Sequence, residues 1–165
     1  MSATSGGDED LVAVRLISIS LDDLRRAAAH HDELFREFAL VLGGEPSPGH
    51  EVPARLLALI DELNSRFAGF STAPQAEIDA AMDRGDAAID VTFAVPAEAR
   101  AACLRVGGLL AEADDYCRNG ELLTLAPPPD AVAFRNWYLD EFVAQIDGAD
   151  PTPWPEYKAR ALHTG

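Results

Sequence analysis

The segment Gly69-Phe70-Ser71-Thr72-Ala73-Pro74 holds a glycine, a proline and two hydroxyl residues, and it reads as a loop. On its N-terminal side Leu56, Ile60, Leu63 and Phe67 recur at helical spacing, with Pro53 suited to a first helical turn. On its C-terminal side Gln75 to Arg84 reads as a short helix that ends at Gly85. Farther out on each flank lies a strand. Leu11 to Ile19 is apolar on both faces and reads as a buried strand. From Ala88 to Val95, Ile89, Val91, Phe93 and Val95 alternate with Asp90 and Thr92, and Pro96 ends the run.

Between the first strand and the second helix, Ser20 and Asp23 form a near capping box. Leu21, Leu24, Ala28, His31, Phe35, Phe38 and Leu42 then make one helical stripe, stopped by Gly43 and Gly44. Residues 45–51 read as a Pro/Gly loop. A long helix over 97–118 carries Cys103, Val106, Leu110, Ala113 and Cys117, and Asn119-Gly120 stops it. Glu121 to Leu125 reads as a third strand, broken by Pro127, Pro128 and Pro129. Asp130 caps a helix holding Phe134, Trp137, Tyr138, Phe142 and Ile146, which ends at Gly148. Strands joined by helical crossovers tend to lie parallel. The expected fold is therefore mixed α/β and helix-rich, with a small three-stranded parallel sheet and amphipathic helices packed on it. Residues 11–148 form its single domain, residues 1–10 a disordered leader and residues 149–165 an extended or flexible tail.

The 165 residues suffice for a core without disulfides or metal. Thirteen Lys and Arg against 28 Asp and Glu give a net charge of −15. Such a surface repels phosphate backbones and anionic lipid, so neither nucleic acid nor membrane is an expected partner. It suits solubility and basic protein partners. Met1 to Asp10 has neither the basic start nor the apolar run of a signal peptide. No stretch approaches the roughly 18 apolar residues of a spanning helix, and the expected compartment is the cytoplasm.

Cys103 and Cys117 stand 14 residues apart on one helical face. That separation is about 21 Å along the axis, too far for a disulfide, and both read as buried, inert thiols. His30-His31-Asp32-Glu33 offers His30 and Glu33 as one pair of ligands, with no second cluster to complete a metal site. Asp22-Asp23 suits the first turn of a helix, and Asp114-Asp115 reads as a solvated face. Gly107-Gly108, inside a helical pattern, reads as permitting close packing. No phosphate-binding glycine loop and no nucleophile elbow is present, so no catalytic residue or cofactor is assigned.

Three stretches carry a family likeness: Glu33-Leu34-Phe35-Arg36-Glu37-Phe38, Gly120-Glu121-Leu122-Leu123-Thr124-Leu125, and Phe134 to Phe142, continuing through Gln145-Ile146-Asp147-Gly148 to Trp154. Across residues 11–154 the chain resembles a family of small acidic actinobacterial proteins. Their genes lie beside ATP-binding anti-sigma regulatory proteins and STAS-domain proteins. The resemblance implies a place in partner-switching regulation, with one of those neighbours as protein partner. It implies no active site. The chain carries neither the Asp-x-Gly-x-Gly signature of the ATP-binding neighbour nor the Asp-Ser-Ser-Gly-type loop of a STAS domain.

The leading expectation is a non-enzymatic regulatory or interaction protein that meets its partner through Arg135, Trp137, Tyr138 and Trp154. The alternative is a small-ligand binder or enzyme whose site is assembled from the scattered residues His30, Arg36, Asp90 and Arg135. A third reading is a structural subunit whose aromatic helix self-associates into a homo-oligomer.

Overall fold

The computed structural model describes residues 11–42, 51–119 and 127–163. The elements run β1 (Val12–Ser20), α1 (Leu21–Leu42), α2 (Glu51–Arg84), β2 (Ala88–Val95), α3 (Ala99–Arg118), α4 (Pro129–Ile146) and α5 (Trp154–His163). Among the described residues the sheet has two strands, and β1 pairs with β2 antiparallel. The expected three-stranded parallel sheet is therefore corrected, and its third strand, Glu121 to Leu125, lies outside the described residues.

The reason lies in the segment Gly69 to Pro74. It is not a loop: α2 runs through it as one helix of 34 residues, with Pro74 inside. Pro74 removes one bond from the helical ladder. The hydroxyls of Ser71 and Thr72 turn back and donate to the Ala68 carbonyl at 3.2 and 3.0 Å, and the Pro74 ring is buried. When each connection reverses the chain, three helices between two strands return it parallel. Two helices return it antiparallel, as observed.

The strand β1 carries a bulge. Leu16 pairs with Val91 and Ile19 with Ile89, so three steps on β1 face two on β2. Ser18 within it takes φ 58°, and its N–H donates to Asp90 Oδ1 at 2.7 Å. The extra residue shifts the alternation, so Val14, Leu16 and Ile19 all face the core while Ala13 and Arg15 are exposed. That phase shift is why the sequence looks apolar on both faces. The outer edge of β1 is closed by Gln145 of α4. Its Oε1 accepts from the Arg15 N–H at 2.8 Å and its Nε2 donates to the Arg15 carbonyl at 2.9 Å.

The C-terminal segment is not an extended tail. Gly148, at φ 100°, turns the chain out of α4, and Trp154 opens α5. Trp154 is 2% exposed, and its indole donates to Asp23 Oδ2 at 2.9 Å. Lys158 reaches the same carboxylate oxygen at 3.2 Å, and Arg26 holds Oδ1. Asp130 stands in the first turn of α4 and accepts from the Ala131 N–H at 3.1 Å, while the cap position itself is Pro128.

The buried side chains form two groups. One joins the sheet to α4, the C-terminal half of α2 and Trp154, with Leu16, Ile78, Phe93, Phe134 and Trp137 among its members. The other joins Leu34 of α1 and Leu56 and Leu59 of α2 to Val106, Leu110, Ala113 and Cys117 of α3. At about 1.5 Å per residue α2 is long enough to serve both. No helix among the described residues is long and apolar enough to cross a membrane.

Candidate functional site

The helix α4 packs against both α1 and α3, and where it does so polar groups are buried. Arg135 of α4 is 7% exposed and Asp114 of α3 is 4% exposed. Arg135 Nη2 donates to Asp114 Oδ2 at 2.8 Å. This is a single end-on bond, not the two-bond fork that guanidinium and carboxylate favour. It leaves Arg135 Nε and Asp114 Oδ1 without partners among the described residues, and His30 Nε2 on α1 is unpartnered too. A buried polar atom without a partner costs on the order of 1–3 kcal/mol, so three in one place call for an explanation.

Both histidines feel this pair. Burial lowers the pKa of His30, and of the charged neighbours Asp114 pulls it back most. Burial, then the Arg135 charge and His30, brings His31 down to about 4, so its imidazole is neutral at physiological pH. The His31 ring stacks on Phe35 with centroids 6.0 Å apart.

Two cavities lie where the two buried groups meet without fusing. One, of about 260 Å³, is lined by His31, Phe35 and Arg135 together with largely apolar side chains of α1, α2, α3 and α4. The other, of about 310 Å³, lies between α2, β2, α3 and α4 and includes Phe67, Phe93 and Cys103 in its wall. Ile60, Val106, Tyr138 and Leu139 line both, so the cavities adjoin. Burial pushes the Cys103 thiol up to about 11 and raises the Tyr138 phenol, so both stay protonated and uncharged. The arrangement can hold an apolar body and offer hydrogen bonds at the Arg135 end.

Of the ligand residues expected from sequence, His30 and Arg135 are brought together. Arg36 is exposed on α1, and Asp90 is exposed on β2, engaged with the Ser18 N–H. Of the expected interface residues, Trp137 is fully buried and donates to the Thr152 carbonyl at 2.8 Å. Trp154 and Arg135 are buried as well, and Tyr138 is half-buried against Phe142 and Phe93. Arg135, Trp137 and Trp154 present no free face to a partner.

Asp114 is the member that sequence reading missed. Asp115 is exposed as expected, but Asp114 is buried, which corrects the solvated-face reading. The signal was its spacing: it follows Leu110 by four and precedes Cys117 by three, on the buried stripe. Gly107 was expected to permit close packing. A Cβ there would meet Leu139 Cδ1 at 3.5 Å and one at Gly108 would meet nothing within 4 Å, so packing demands neither glycine. Among the described residues no group of three or more His, Cys, Asp or Glu could hold a metal ion. No protein-family model matches the chain, and no curated protein or solved structure matches it.

Proposed function

We propose that this protein is a non-enzymatic small-ligand-binding domain, its ligand held in the adjoining cavities with the polar end at Arg135. The observation that carries the reading is a pair of adjoining, largely apolar cavities with the charged Arg135 on the wall of one of them. A bound molecule fills the apolar walls and meets Arg135 at one end. Catalysis is not part of the reading: the imidazole and thiol on the cavity walls are neutral, and among the described residues no activated nucleophile or carboxylate pair lines the cavities with them.

The test is a titration with N-phenyl-1-naphthylamine, a neutral apolar dye that fluoresces when taken out of water. The expected result is a saturable increase that is abolished by Val106→Phe, which fills the wall common to both cavities. A well-folded Val106→Phe variant with an undiminished increase, or no saturable increase in the parent protein, would contradict the reading.

Regulation through an anti-sigma or STAS-type protein partner rests on the family likeness and on the net charge of −15. The buried tryptophans lend it no contact surface, so a partner would have to be met by other residues.

A further inference from the structure

We infer that the groove between α2 and α3 is the contact face of a homodimer, in which the same face of a second copy of this chain seats on it about a two-fold axis. This stands apart from the ligand-binding reading, because the groove lies on the exposed side of α3 and the cavities on its buried side.

The groove has a volume of about 490 Å³ and an apolar floor, formed by Ala58 and Leu59 of α2 and Leu104, Gly108 and Leu109 of α3. Four charged side chains stand at its corners. Arg55 of α2 reaches Glu112 of α3 at 2.9 Å, and Glu62 of α2 lies 3.8 Å from Arg105 of α3. The two helices therefore run antiparallel here. On each of them the two charges stand seven residues apart, on one face and about 10 Å along the axis. All four are about half exposed. Ion pairs so open to water contribute little, and turning their charges toward a second molecule costs little.

The charge pattern selects the occupant. Around the four corners the signs alternate: Arg55, Glu112, Arg105, Glu62. Bring two such faces together about a two-fold axis along the groove, and Arg55 meets Glu112 of the second copy while Glu62 meets Arg105. With the axis across the groove, Arg55 meets Glu62 and Arg105 meets Glu112. Under either axis every charge faces its opposite, so the face is complementary to itself. A partner of uniform charge would meet two like charges instead. The chain as a whole carries −15, but this patch is balanced, and two copies approach here without local repulsion. Midway between the charges stand Ala58 and Gly108, so small side chains oppose one another at the centre under both arrangements. A Cβ at Gly108 would meet nothing within 4 Å. The protomer's own packing therefore gives no reason for a glycine inside α3, where it is unfavourable, and the close approach of a second backbone gives one. Leu104, 52% exposed, adds apolar contact beside it.

The experiment is sedimentation velocity of the full chain from about 1 to about 200 μM, where a reversible monomer–dimer equilibrium is expected. Two charge variants then test the face. Arg55→Glu/Arg105→Glu makes all four corners acidic, and Glu62→Arg/Glu112→Arg makes all four basic. Each alone should dimerise at least about tenfold more weakly than the parent, and an equimolar mixture should recover a one-to-one dimer. The basic variant is the sharper of the two, because it lowers the overall negative charge and should still lose the dimer. Recovery in the mixture also shows that both variants fold. Gly108→Trp projects into open space, so it should keep the parent's circular dichroism and abolish the dimer. A parent that stays monomeric across the range, or that assembles beyond a dimer, would overturn the inference. A dimer that persists undiminished in the basic variant and in Gly108→Trp would place the contact elsewhere and overturn it as well. So would a mixture of two folded charge variants that stays monomeric.

Discussion

Removing the Arg135 guanidinium alone would leave the Asp114 carboxylate buried without a counter-charge. Arg135→Met should therefore destabilise the protein by about 3–5 kcal/mol, whereas Asp114→Leu/Arg135→Met together should be nearly neutral or stabilising. Urea denaturation of the parent and both variants checks this. Acid should expose the two histidines. Unfolded His31 takes its proton near the ordinary 6.5, but folded His31 only near 4, and His30 is shifted the same way. Between those values the unfolded state binds more protons, so stability falls as pH drops from about 6.5 to about 4. Asp23 extends the loss. Burial alone would raise its pKa, but the bonds from Trp154, Lys158 and Arg26 outweigh that and lower it, so its contribution disappears only below the ordinary carboxylate range. Glu141, raised by burial, works in the opposite sense near its own titration and offsets part of the change. His31→Leu should flatten the pH profile of the thermal midpoint above about 4; an unchanged profile would show that His31 titrates normally. At this scale the sequence singled out His30 and Arg135 as polar residues for a pocket; Arg135 lies on a cavity wall and His30 is not among the lining residues. It hid Asp114, because adjacent acidic residues look alike until the helix stripe is phased.

Helix α2 decides the topology, and its middle is where local composition misleads. Gly69, Ser71, Thr72 and Pro74 are each poor helix residues, yet the turn is retained, with Pro74 buried and the hydroxyls bonded back to Ala68. Tertiary packing overrides propensity here. A Cβ at Gly69 would meet nothing within 4 Å. Gly69→Ala should therefore stabilise the protein by about 0.5–1 kcal/mol, as in a helix interior, measured by the thermal midpoint. A loss of stability would mean that position 69 lies outside regular helix. The strand β2 was legible outright, because Val91, Phe93 and Val95 alternate with exposed partners. In β1 the direction of each side chain was not, because the bulge at Ser18 changes the phase midway. The helix α5 was obscured by Pro151, Pro153 and Pro155, although the last of these falls in a first turn, where proline is tolerated.

Across the whole molecule the two buried groups are bridged by α2 but not merged, and the cavities occupy the seam. A seam of this kind follows from how four helices and a sheet meet, which no run of residues spells out. Ligand binding at the seam is the central claim, and methyl NMR of the full chain titrated with N-phenyl-1-naphthylamine tests it most directly. The account predicts saturable shifts of the Ile60, Val106 and Leu139 methyls, which line both cavities, while the exposed Leu11 and Leu162 methyls stay in place. Shifts confined to the exposed leucines, or no saturable shift at any methyl, would contradict it.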